Sequence, residues 1–241
     1  AARDALYWAA LAAAAVVPAS FAAQRLAGSW RTDFSTALEV TVAAGMIVFA
    51  LSTLFTRQAF RLTPLLAPYM ALLALLAALW HHAPRALGLE AAASTWVIVH
   101  IAAAVATYGL VTVAAVASLA ALAQERALKA RQPTALTRIL PSIADCEGLV
   151  VRLLVVAEGI LAAGIATGMA TLYRERGSRL ALDHKTILTV AAFGVLAALL
   201  VGHFRAGVRG RQATRFVLVG YLLLTLGYPG VKFVTEVLLG R

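Results

Sequence analysis

The run from Ile187 to Gly202 contains no charged residue, and polar segments with His184 and His203 flank it. An uncharged apolar run of this length, extended by its flanks, predicts a helix that crosses a membrane. A turn rich in arginine and glycine follows it, from Arg205 onward. Because positive charge collects on the cytoplasmic side of membrane proteins, we expect this basic end to face the cytoplasm.

Similar apolar runs fill most of the chain, which is 62% hydrophobic and 13% charged. A soluble domain carries about a quarter charged residues, so this chain has too little polar surface for water. The apolar residues come in runs of helical length, whereas barrel strands alternate. We therefore predict an all-α transmembrane bundle, in a single domain spanning 1–241. Its seven spans are about 5–21, 37–55, 62–80, 95–123, 149–172, 187–202 and 216–239.

The net charge of +10 is distributed over short loops between the predicted spans. This distribution indicates contacts with the head groups of a lipid bilayer and a topology signal, and no nucleic-acid partner is expected. Cys146 is the only cysteine, so an intramolecular disulfide is excluded. No phosphate-binding loop, Ser/His/Asp array or zinc-ligand spacing is found. We therefore expect that the protein is not an enzyme and that it has no catalytic residue and no protein-only metal site.

The distribution of basic residues also predicts which side of the membrane each histidine faces. The excess of arginine and lysine favours a cytoplasmic N-terminus. In that orientation the inner face holds His203. The outer face then holds His81, His82, His100 and His184.

His100 and His184 are the candidate cofactor-binding residues. His100 lies one turn into the fourth predicted span, and His184 lies at the outer end of the sixth. Two imidazoles across an outer vestibule can ligate a haem iron axially. The alternative is that His100 is an interfacial histidine bonded to backbone and that His184 is an ordinary loop residue.

Glu158 is a carboxylate deep in the fifth predicted span. An ionisable residue inside a membrane is a candidate functional group, and it can take protons or hold a cation in a transporter. The alternative is a protonated glutamate that bonds to a neighbouring helix, for instance to Tyr108 or Thr107. The sequence leaves both open.

Several short motifs occur in an order that resembles a known family. They are Ile139–Ser142, Gly164–Gly168, Asp183–Thr186, His203 and Arg209–Arg211, together with Val99–Ile101, Thr107–Tyr108 and Tyr228–Phe233. The chain resembles the cytochrome c assembly proteins, the CcsA/CcmC/HemX-like integral membrane family. It is most similar to the YpjD-type inner-membrane branch, which usually has eight spans, so a further first helix is expected.

The resemblance implies a protein of the bacterial inner membrane that handles haem. It transfers the ligand role to His100, whereas the family pattern has proline at the position of His184. The family's tryptophan-rich WxWD segment between two external histidines is represented here only by Asp183 and Lys185. The implied function is haem binding or support of cytochrome maturation. The alternative is an accessory or scaffold subunit of another membrane protein, such as a transporter, with no cofactor.

Overall fold

The computed structural model describes residues 5–28, 34–56, 58–80, 95–176 and 183–238. Those residues are helical almost throughout and contain no β-strand. Within them, seven helices are long and apolar enough to cross a membrane. The predicted all-α, seven-span architecture is therefore confirmed.

The helices follow one another with short connections. Their bounds are α1 Ala5–Gly28, α2 Phe34–Phe55, a 3-10 turn Ala59–Leu62, α3 Thr63–Leu79, α4 Thr95–Ala130, α5 Ala135–Ile139, α6 Ile143–Arg176, α7 His184–Ala206 and α8 Gly210–Thr225, followed by π-helical turns Leu226–Gly230 and Phe233–Leu238. Several helices extend past the predicted apolar spans, because polar residues at both ends continue the helical hydrogen bonding.

Helices α4 and α6 form the central pair of the bundle, and α4 also packs on α2 and α8. Both helices bury alanines: Ala114, Ala117 and Ala120 of α4 and Ala157 of α6 are fully buried. Small side chains let helices approach closely in lipid, where apolar burial alone does not drive association. The alanine-rich sequence thus produces a tightly packed centre that holds the surrounding helices.

Helix α4 has 36 residues and is about 54 Å long, which exceeds the hydrocarbon thickness of a bilayer. Its charged C-terminal end, beyond the predicted apolar span 95–123, continues the helix as far as Ala130. Near that end, Gln124 Nε2 donates hydrogen bonds to the carbonyls of Thr137, Leu140 and Pro141 at 2.8, 3.3 and 3.1 Å. This side chain attaches α5 and the following turn to α4.

At Tyr228, Pro229 and Gly230, inside the last predicted span, the chain continues in wider, π-helical turns. Proline lacks the N–H that an α-helix needs, and a π-turn accommodates the irregular hydrogen bonding. Farther on, Phe233 packs against Phe34 and Trp80, with ring centroids 5.5 and 6.2 Å away. The C-terminal segment is thereby held against α2 and α3.

Candidate functional site

A cavity of about 440 Å³ lies between α4, α6, α7 and the first π-helical turn. At one end its lining includes the charged residues Asp183 and Lys185 at the start of α7. Its walls include His100 and Tyr108 from α4 and Leu161 from α6. The cavity thus combines apolar walls with a small number of polar groups, as ligand sites do.

His100 is held in one orientation by α6. Its Nδ1 lies 2.8 Å from the carbonyl oxygen of Gly164. Because a carbonyl only accepts, Nδ1 carries the proton, and Nε2 of the neutral ring is left with a lone pair. A backbone hydrogen bond at one ring nitrogen is also how ligating histidines are oriented. The predicted backbone partner and the predicted ligand role are therefore compatible in this side chain.

Gly168 makes room for the His100 ring. A β-carbon at this position would lie 2.9 Å from Cε1 of His100 and 3.1 Å from Nδ1. Real β-carbons essentially never approach another atom so closely, so any side chain here would displace the imidazole. The sequence marked Gly164 and Gly168 only as the two ends of a motif shared with a known family. In the structure, one glycine accepts the hydrogen bond from His100 and the other leaves space for its ring.

The second predicted ligand, His184, lies at the end of α7 beside the cavity but is not among the residues that line it. His184 is the first residue of α7 and is exposed, and within the described chain the nearby cavity lining comes from Asp183, Lys185 and Thr186. Asp183 caps α7 by accepting a hydrogen bond from the Thr186 N–H at 2.8 Å, and this bond lowers the pKa of the Asp183 carboxyl. The role proposed for His184 stays a prediction. His81 and His82 lie outside the described residues.

A group of hydroxyls borders the cavity behind Tyr108. The Tyr108 hydroxyl is 2.9 Å from Thr225 Oγ1 and 3.3 Å from the hydroxyl of Tyr221, which in turn bonds to Tyr69. Sequence reasoning missed Tyr69 and Tyr221, because they lie on α3 and α8 and no local spacing connects them. Only the packing of three helices brings these hydroxyls together.

Glu158 has no hydrogen-bond partner for either carboxylate oxygen among the described residues. The partners suggested from the sequence were Tyr108 and Thr107. Tyr108 bonds instead to Thr225 and Tyr221, and the Thr107 hydroxyl is itself without a partner in the described chain. The suggested hydrogen bond is therefore absent, because packing directs the Tyr108 hydroxyl toward α8.

The opposite end of the bundle holds His203 in the last turn of α7. From the sequence, His203 was expected at the inner face of the membrane. Its Nδ1 lies 3.1 Å from the carbonyl oxygen of Val208, since the chain turns back at Gly207 with a φ of 67°. Close by, Glu147 accepts a hydrogen bond from the Gly210 N–H at 2.9 Å. These contacts close the α7–α8 turn against α6.

These features define the class of protein. It is a multi-pass helical membrane protein with a cavity near one end of its spans, and His100 lines this cavity. The sequence matches the family described as Cytochrome C assembly protein over residues 7–239. The chain belongs to this family. No solved structure matches it.

Three relatives show how far the similarity extends. An uncharacterized 28.8 kDa protein in the nifR3-like 5′ region of Azospirillum brasilense is 52% identical over 99% of this chain and 88% of its own length. Protein HemX of Brevibacillus brevis is 25% identical over 57% of this chain and 50% of its own. Inner membrane protein YpjD of Escherichia coli K12 is 26% identical over 61% and 54%. The latter two therefore match over only about half of their length.

Proposed function

We propose that this protein binds or relays haem in the cavity beside His100, at the bacterial inner membrane, as part of cytochrome c maturation. Membership of the cytochrome c assembly family supports a maturation-related role. The observation that carries the haem proposal is the orientation of His100. Its Nδ1 donates to the Gly164 carbonyl, so Nε2 keeps the lone pair that an iron ion needs.

The residues of the cavity fit a haem group in three respects. Its volume of about 440 Å³ is in the range of small-molecule sites. Apolar side chains such as Leu161, Leu172 and Val190 line it and suit the faces of a porphyrin. Lys185 at one end offers a positive charge to a carboxylate. Bound haem would supply an iron ion, to which the Nε2 lone pair of His100 would bind.

A haem titration of the purified protein tests the proposal. We expect a Soret band in the unaltered protein and its loss in His100→Ala, because the lone pair that ligates the iron is removed. His203→Ala is the matched control, since this histidine lies in the last turn of α7, at the other end of the bundle from the cavity. Equal Soret bands in the protein and in His100→Ala would refute His100 as the ligand.

The accessory-subunit alternative predicts a different outcome of the same purification. A preparation that takes up no haem at any loading, and that retains a stoichiometric membrane partner, would support it. His184→Ala adds a second comparison. If the exposed His184 contributes a second ligand to the iron, His184→Ala shifts the Soret maximum. An unchanged spectrum would show that His184 does not ligate the iron.

A further inference from the structure

The carboxyl group of Glu158 is enclosed near the middle of α6. Both of its oxygens are buried, and neither has a hydrogen-bond partner among the described residues. A carboxylate in such a position is a buried charge without compensation, which costs far more free energy than the neutral acid. Glu158 therefore holds a proton as long as no positive charge lies nearby.

The helices that pack against α6 offer Glu158 no counter-charge inside the membrane span. These helices are α4 and α7, and the sequence has no charged residue at positions 101–124 or 186–202. In those stretches the titratable group is Tyr108, whose hydroxyl bonds to Thr225, and on α6 itself Arg152 is six positions away and exposed. The other titratable groups of α4 and α7 lie near the helix ends: His100, Glu125, Arg126, Lys129, His184, Lys185, His203 and Arg205. The charge to which Glu158 can respond is therefore one that enters the bundle with a ligand.

Glu158 lies one turn of α6 away from the wall of the cavity that contains His100. It is not a lining residue itself, but Leu161 and Ile165, three and seven positions farther along α6, both line the cavity. Seven positions are two turns, so Ile165 and Glu158 lie on the same side of α6. Gly164, which accepts the hydrogen bond from His100, is six positions from Glu158, or about 9 Å along the axis. The carboxyl group is thus within electrostatic range of a charge at His100 without contacting it.

The oxidation state of a bound haem iron decides whether such a charge is present. The three charges of ferric iron exceed the two negative charges of the porphyrin nitrogens by one, whereas ferrous iron leaves this core neutral. Because packed helix axes are about 8–10 Å apart, an iron at His100 Nε2 would lie about 12 Å from the Glu158 carboxyl. At an effective dielectric constant of about 20, two unit charges at this distance change an equilibrium constant about tenfold.

We propose that Glu158 is a proton-binding residue that adjusts the charge of the cavity site to its ligand. The carboxyl keeps its proton when the cavity is empty or holds a neutral core. It releases the proton to solvent when positive charge binds at His100. This inference rests on the proposed haem binding and assigns its regulation: the preference for ferric over ferrous haem increases with pH. Glu158 acts through its charge and is not an iron ligand.

The ratio of ferric to ferrous affinity, measured by reductive titration of the haem-loaded protein at several pH values, tests the inference. In the unaltered protein we expect this ratio to rise about tenfold from low to high pH, because the carboxylate that forms favours the ferric core. Glu158→Gln is neutral at every pH and should remove this rise, whereas Glu158→Asp should retain it. Contributions of His100 and of the groups at the cavity rim remain in Glu158→Gln, so the comparison isolates Glu158.

Glu125→Gln is the matched control for the loss of a carboxyl group. Glu125 lies in the charged end of α4, 25 positions from His100, or about 37 Å along the helix. At that distance, in contact with water and salt, its charge is screened, so the pH dependence should match that of the unaltered protein.

Infrared spectroscopy of the haem-free protein tests the protonation state by itself. The C=O stretch of a carboxylic acid is distinct from the carboxylate bands, and at neutral pH we expect one such band that is lost in Glu158→Gln. Absence of this band, or the same pH dependence of the affinity ratio in the unaltered protein and in Glu158→Gln, overturns the inference and leaves haem binding intact. Failure of the unaltered protein to bind haem in either oxidation state overturns both.

Discussion

Gly168 has no β-carbon, and this allows the His100 imidazole to lie against α6. Two effects converge on this ring: the Gly164 carbonyl accepts its proton, and Gly168 leaves the space that the ring fills. Thr167 donates to the same Gly164 carbonyl at 3.0 Å. The orientation of the proposed ligand thus depends on backbone atoms of one turn of α6.

The substitution Gly168→Ala tests this arrangement. Its β-carbon would lie 2.9 Å from His100 Cε1, so the ring or the helix must shift. Overpacking of this kind costs about 1–3 kcal/mol of stability. Because the shift displaces the ring that is proposed to hold the iron, we expect weaker haem binding. Haem titration measures it, and thermal unfolding shows whether the fold survives.

Gly159→Ala is the matched control on the same helix, because nothing lies within 4 Å of a β-carbon there. Haem affinity should be unchanged in that variant. If Gly168→Ala also binds haem as tightly as the unaltered protein, the His100 ring does not need the position that the structure gives it.

At the scale of elements, Gln124 connects the long helix α4 to the short segment that leads into α6. Thr134 starts α5 with a capping box, in which its hydroxyl accepts from the Thr137 N–H. Leu140 and Pro141 after it are buried, and their carbonyls receive the Gln124 amide. One polar side chain therefore supplies a donor to three backbone carbonyls. The carbonyl of Pro141 also accepts from Cys146 Sγ at 4.0 Å.

The substitution Gln124→Leu should destabilise this connection. It removes a shared donor from three carbonyls, and a buried acceptor left unsatisfied costs about 1–3 kcal/mol. We expect a lower melting temperature in detergent and faster proteolysis within residues 131–142. Lys129→Ala is the control, since that exposed side chain joins only the surface pair with Glu125. Equal melting temperatures and cleavage rates in both variants would contradict the role of Gln124.

At the scale of the whole molecule, α7 separates two ends with different chemistry. The end at His184 carries the cavity, and the end at His203 carries the turn toward Arg209 and Arg211. The positive-inside rule assigns the arginine-rich end to the cytoplasm. The cavity would then open toward the outer face of the membrane.

Accessibility labelling tests this orientation. The only cysteine, Cys146, is buried, so Cys146→Ala provides a background for single cysteines. We expect an impermeant maleimide to label His184→Cys in intact spheroplasts, and Gln212→Cys only after the membrane is opened. Both positions are exposed, so differences in burial do not affect the comparison. The reverse pattern would place the cavity on the cytoplasmic side and contradict the predicted position of His100 and His184 at the outer face.

Much of the architecture was predictable because its causes are local. Uncharged runs such as Ile187–Gly202 can be stable only in lipid, and a backbone in lipid must form helices or a closed barrel. Caps such as Asp183 and the glycine turn at Gly207 are also determined by nearby residues. His100 was identified by its position one turn inside a span and by resemblance to a family motif.

The remainder of the site depended on contacts between residues far apart in the chain. The sequence alone determined that the described residues form a helical bundle with seven apolar spans and a histidine near one end, because hydropathy and helix capping act over neighbouring residues. Only the tertiary structure decided that Gly168 faces His100 and that the Tyr108 hydroxyl bonds to α8 and not to Glu158. It also decided that Thr107, Thr189 and Tyr228 line one cavity, because side chains from separate helices meet only when those helices pack.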